Sequence, residues 1–132
     1  MIGLVVASQG RLAVEFVAAA QHVLGQPLPQ LQALVIDSDK ANERDRQRLS
    51  DAIARVDSGD GVVVLTDLFE GTASNLALEM LSRFNIEVLG GISLPTLLKL
   101  VRARDMPLRS AVAAARDSGR RHIHSSVELR GK

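Results

Sequence analysis

The chain has 132 residues, 46% hydrophobic and 23% charged, the proportions of a single globular domain rather than of a multidomain enzyme. Sixteen Lys and Arg against fifteen Asp and Glu leave a net charge of +1, which is neither the footprint of a nucleic-acid binder nor that of a polybasic membrane anchor. Zero Cys excludes disulfides, thiolate zinc sites and a cysteine nucleophile, and with no Trp or Tyr only Phe16, Phe69 and Phe84 remain to stack on a base or a flavin. The longest apolar runs, such as Val62 to Leu65, fall far short of the roughly 20 residues that cross a bilayer. The opening MIGLVVASQG lacks a basic segment and a cleavage site, so a cytoplasmic protein is expected.

Short runs rich in Val, Ile and Leu alternate with longer amphipathic stretches, the pattern of a mainly parallel open sheet covered by helices on both faces. The first strand is Ile2 to Ala7. A helix follows with Leu12, Phe16, Ala20 and Val23/Leu24 at three- and four-residue spacing, ended by Gly25 and Pro27. A second strand, Leu31 to Ile36, meets the polar corner Asp37-Ser38-Asp39, and Leu49, Ile53 and Val56 then mark one apolar stripe on a charged helix. After the turn Ser58 to Gly61, Val62 to Leu65 reads as the third strand, and a helix beyond the loop Thr66 to Thr72 carries Leu76, Met80, Leu81 and Phe84. A fourth strand near Ile86 to Leu89 stops at Gly90-Gly91. Ser93 and Pro95 then cap and open a helix through Leu97, Leu98 and Val101. Pro107 opens a further helix with Leu108, Val112 and Ala115 on one face and Gly119 placed to terminate it. From His122 to Leu129 apolar and polar residues alternate, which predicts a half-buried C-terminal edge strand and makes it the leading candidate for a dimer contact.

In an open parallel sheet the loops after the strands line one rim, where ligands bind. Four loops meet there: Ala7 to Gly10, Asp37 to Asp39, Thr66 to Thr72, and Gly90 to Ser93. The third carries the most chemistry, because glycine and small hydroxyl residues at a helix N-terminus leave backbone N–H groups free to receive an anion. Thr72 and Ser74 are candidate donors, and Asp67 is placed to orient a group in the first loop; simple capping by Asp67 and Thr72 is the structural alternative. No metal site is expected. His122 and His124 lack a third ligand, His22 is expected to be a half-buried helix residue, and Arg120-Arg121 read as a helix end complementing its dipole.

Three stretches together resemble one family: Ile2-Gly3-Leu4-Val5-Val6-Ala7-Ser8-Gln9-Gly10-Arg11-Leu12-Ala13, then Gly61 through Asn75, then Gly91-Ile92-Ser93-Leu94-Pro95-Thr96-Leu97-Leu98. In order and spacing they are similar to a mannose-type IIA domain of the bacterial phosphoenolpyruvate-dependent sugar phosphotransferase system, and most similar to alphaproteobacterial members. The likeness runs over nearly the whole chain, taken as one IIA domain over residues 1–132. It implies a phosphoryl carrier between HPr and a IIB component, without a cofactor, in the cytoplasm, working as a homodimer with exchanged C-terminal strands. It also implies association with a sugar permease complex at the membrane periphery. The family's acceptor histidine falls on Gln9, its supporting aspartate on Asp67, and its phosphoryl cradle on the backbone of Phe69, Glu70, Gly71 and Thr72.

Gln9 departs from that pattern where the chemistry is most exacting. An imidazole nitrogen has a nucleophilic lone pair, whereas the amide nitrogen of Gln has its pair delocalised into the carbonyl. Gln9 is therefore expected to stay unphosphorylated while hydrogen-bonding to Asp67 in the place of a histidine. Glu70 stands where the family shows a glycine and Ala73 where it shows a proline. An inward carboxylate about 6 Å from an arriving phosphoryl charge costs roughly 3 kcal/mol at an effective dielectric near 20. A regulatory or binding form that meets HPr, a IIB component or another regulatory protein follows. The alternatives are an active carrier with Ser8 or Thr72 as acceptor, and a small-molecule or anion-binding module. A receiver's acidic pair and a dinucleotide Gly-x-Gly-x-x-Gly are both missing from Ala7-Ser8-Gln9-Gly10.

Overall fold

In the computed structural model, which describes residues 1–130, strands Gly3–Gln9 (β1), Leu31–Ile36 (β2), Val62–Thr66 (β3) and Ile86–Leu89 (β4) form one sheet in the order β2-β1-β3-β4. Every pairing is parallel. The two central strands have both faces covered: Val5, Ala7, Val62 and Val64 join one core, and Leu4, Val6, Val63 and Leu65 the other. That is why their sequences run as unbroken apolar stretches instead of alternating.

Helices Leu12–Leu24 (α1), Leu94–Arg102 (α4) and Leu108–Arg121 (α5) close one face; Glu43–Val56 (α2) and Thr72–Glu79 (α3) close the other. Their ends follow local chemistry. Asn42 Oδ1 accepts the Asp45 N–H at 2.8 Å to start α2, and Ser93 Oγ accepts the Thr96 N–H at 3.3 Å to start α4, with Pro95 in its first turn. α1 ends where Gly25 adopts φ 72°. At the opposite end of the sheet from the rim, the buried Arg104 donates to the carbonyls of Ile2, Pro29 and Gln30 at 2.7 to 2.8 Å. One side chain thus ties the start of β1 and the entry to β2 to the turn after α4.

Several sequence expectations are corrected. The third helix ends at Glu79 and tightens into a 3-10 turn, Met80–Ser82, which buries Met80 but leaves Leu81 exposed. α5 continues through Gly119 to Arg121. A Cβ at Gly119 would overlap Thr96 Oγ1, so this glycine permits close approach of α4 and α5 rather than stopping the helix. His22 is exposed, not half-buried. The tail is not an edge strand: His122 to Ser125 leave α5 irregularly and Ser126–Arg130 form a short exposed helix, α6. Its cause is local. Ser125 Oγ accepts the Glu128 N–H and Glu128 Oε2 accepts the Ser125 N–H, each at 3.3 Å, a reciprocal cap that selects a helical turn over the extended form.

Candidate functional site

In the order β2-β1-β3-β4 the chain leaves β1 toward β2 and returns to the far side of β1 for β3, so the crevice of an open α/β sheet lies at the carboxyl ends of β1 and β3. Gln9 and Asp67 come from those two ends. Ala7 pairs with Thr66, so Gln9 projects two residues past the last β1/β3 pair and lies beside the loop that follows β3. Asp67 Oδ2 accepts the backbone N–H of Gln9 at 3.3 Å, and its Oδ1 accepts the N–H of Leu68 at 2.9 Å.

The Gln9 side chain does not make the expected bond to Asp67. Its Nε2 donates instead to the Ser38 carbonyl at 3.0 Å. Register explains the choice: Gln9 pairs with Ile36, so the chain just beyond β2 runs alongside it, while both Asp67 oxygens already hold main-chain amides. Ser8 is buried, and its hydroxyl accepts the Ala13 N–H at 2.7 Å in the first turn of α1.

The loop after β3 closes on itself. Gly71 N–H donates to Leu68 O at 2.9 Å, and the same carbonyl accepts the Ser74 hydroxyl at 2.6 Å. Ser74 is fully buried and also shares a short hydrogen bond with Thr66 Oγ1, so its hydroxyl is committed to the loop and is not a free donor at the rim. Thr72 Oγ1 donates to Asp39 O at 2.9 Å. Leu68, Phe69 and Glu70 are exposed. Gly90 is needed beside Phe69, because a Cβ there would overlap the Phe69 ring and backbone. Since Glu70 is exposed, solvent screening reduces any repulsion it exerts on an anion at the rim.

Sequence reasoning passed over the cluster that supports this rim from the β2 side. The Ser38 hydroxyl donates to Asp45 Oδ2 at 2.6 Å, the Asn42 amide donates to Ser38 Oγ at 2.6 Å and to Asp45 Oδ2 at 3.1 Å, and Arg48 Nη1 reaches Asp45 Oδ1 at 3.1 Å and Val35 O at 2.8 Å. Burial pushes the Asp45 carboxyl up. The hydrogen bonds from Ser38 and Arg48, the Arg48 charge and the Asn42 amide outweigh that and hold it below its ordinary value. The available signal was the spacing Asn42-x-x-Asp45 behind the Asp37-Ser38-Asp39 corner, a cap pattern whose acid turns inward here.

His122 Nδ1 contacts the Ser118 carbonyl at 2.7 Å, and His124 Nδ1 lies 3.6 Å from Glu128. Among the described residues no group of three or more His, Asp and Glu side chains is placed to hold a metal ion. None of the described helices is long and apolar enough to cross a membrane.

The fold and the rim define a single-domain open α/β protein in which the loops after β1 and β3 meet at the switch point of the sheet. The chain belongs to the PTS system fructose IIA component family, whose profile matches residues 3–116, as the three sequence motifs had indicated. The same fold is seen in the mannose/sorbose-specific IIA subunit of the phosphotransferase system from Enterococcus faecalis, with 18% identity, TM-score 0.83, and 94% of this chain and 93% of that one covered. The phosphotransferase component EIIA from Streptococcus agalactiae gives 20% identity, TM-score 0.83 and coverage of 95% and 97%. The PTS IIA protein associated with the fucose utilization operon from Streptococcus pneumoniae gives 24%, 0.77, and 98% and 96%. Comparison with curated proteins gives no match.

Proposed function

We propose that this chain, as one IIA unit, docks with HPr and with a IIB component or a regulator in the cytoplasm, at the periphery of a sugar permease complex, without itself carrying phosphate. The observation that supports this reading is the identity and surroundings of Gln9. It stands at the β1/β3 switch point against Asp67, where the resemblance assigns the acceptor, and it offers an amide instead of an imidazole. The neighbouring hydroxyls do not take over the role: Ser8 is buried against α1, and Thr72 and Ser74 donate to loop carbonyls. The rim keeps exposed apolar residues, Leu12, Leu68 and Phe69, around that position, a surface suited to a protein partner.

A homodimer is part of the same proposal. Among the described residues no strand pairs with the outer edge of β4, and beside it runs a groove of about 550 Å³ whose lining includes Leu89, Val112, Arg116 and Ile123. The tail exposes Ile123, Val127 and Leu129, apolar side chains that cover such an edge when a second chain supplies them.

The test is an intact mass spectrum after incubation with enzyme I, HPr and phosphoenolpyruvate. The native chain should gain no phosphate, Gln9→His should gain one, and Gln9→His with Glu70→Gly should be modified only a few-fold faster, because Glu70 is exposed. Phosphate on the native chain overturns the reading.

A further inference from the structure

The segment Asp37–Asn42 belongs to no helix or strand and crosses the rim between β2 and α2. Its far end is anchored by the Ser38, Asn42 and Asp45 cluster. Across the rim it is held from two sides by side chains that both donate to its carbonyls: Gln9 Nε2 to Ser38 O at 3.0 Å, and Thr72 Oγ1 to Asp39 O at 2.9 Å. The two donors come from different elements, the end of β1 and the first residue of α3. Adjacent carbonyls of one loop are therefore tied to both walls of the β1/β3 crevice.

We propose that Asp37–Asn42 is a strap over the rim and that Gln9 and Thr72 are its two clips, with Gln9 acting as a positioning residue that keeps the strap shut. An amide donor on a flexible three-carbon reach suits this bond, and its donor capacity does not depend on a protonation state. Release of either clip frees the loop without touching the cores, because residues 37–42 contribute nothing to either one. The strap rests on the docking proposal only for the partner that meets it. That partner encounters a rim on which Asp37, Asp39 and Lys40, all exposed, are presented in one fixed arrangement.

Limited tryptic cleavage after the exposed Lys40, with hydrogen–deuterium exchange of β1 and β3 as the control, tests this on the protein alone in buffer. Gln9→Met keeps length and neutrality but removes the donor; Thr72→Val keeps shape but removes the hydroxyl; Thr72→Ser retains the hydroxyl. Met and Val variants should each speed cleavage of the loop about fivefold, what one hydrogen bond of ordinary net strength is worth. Thr72→Ser should stay at the native rate, and amides of β1 and β3 should keep their protection in all three. Native loop rates in both Gln9→Met and Thr72→Val overturn the proposal, and a native rate in Gln9→Met alone removes Gln9 from it. A general loss of β1 and β3 protection in either variant also overturns it, since the clips would then be supporting the fold. No phosphorylation enters the measurement, so phosphate on the native chain sinks the docking reading and leaves the strap standing, and the reverse holds equally.

Discussion

At Asp45 two large effects oppose each other: the carboxylate is almost fully removed from solvent, yet it is held ionised by donors from Ser38, Asn42 and Arg48. Its folded value lies below the ordinary 3.8. Such a group adds stability that is fully present above the unfolded-state value and is lost as pH falls through the folded one. Asp45→Asn should therefore destabilise the protein by about 1–3 kcal/mol at neutral pH, the cost of a buried network left with a mismatched partner. The gap to the native chain should narrow as pH falls below roughly 4. Urea titrations at pH 7 and pH 3 check this, and an equal gap at both would mean that the carboxylate charge is not what the network stabilises. Gln9 combines a change readable in the sequence with a contact that is not. Its replacement of a ring by an amide was legible as a loss of nucleophilicity, but its real partner, the Ser38 carbonyl, was not. That pairing depends on strand register, which brings Ile36 and the chain beyond it alongside Gln9.

At the scale of elements, the α4–α5 hairpin shows why a glycine cannot be read from its neighbours alone. Gly119 lies within α5, and elsewhere in a helix Ala would gain about 1 kcal/mol over Gly. Here the added methyl meets the Thr96 hydroxyl, itself bonded to Ser93 at 2.8 Å, and overpacking of that kind costs typically 1–3 kcal/mol. The second effect wins. Gly119→Ala should lower stability by about 1 kcal/mol and shift Tm down by several degrees; a rise in Tm would show that Thr96 turns aside freely. The tail's alternating residues fit a strand, but Ser125-x-x-Glu128 also fits a capping box, and among the described residues no strand pairs with the tail to hold it extended.

Over the whole molecule, Arg104 joins parts of the chain that lie far apart in sequence. Its guanidinium donates to Ile2, Pro29 and Gln30. Burial lowers its pKa, opposed by the nearby Asp105 charge. Arg104→Met would leave three carbonyls without their charged donor and should cost about 3 kcal/mol or more, since hydrogen bonds to charged groups are worth roughly 1.5–3 kcal/mol each. Thermal or urea unfolding checks the value, and a loss under 1 kcal/mol would mean that water replaces the donor. In the sequence Arg104 is one residue of a turn; only closure of the sheet end makes it a tie.

Read along the chain, the residues specify the alternation of strands and helices, the parallel class of the sheet, the span of β2, the cap of α4, and the family. Each of these depends on periodicity, on local capping chemistry or on motifs read in order, and such signals act between residues close in the chain. The β2-β1-β3-β4 order with its switch point, the pairing of Gln9 with Ser38 and of Thr72 with Asp39, the inward turn of Asp45 and the role of Gly119 arise only in the assembled fold. Those contacts join residues roughly 20 to more than 30 positions apart, or set a buried charge against a network, and their free energy exists only once the sheet register and the helix packing bring the partners within hydrogen-bonding distance.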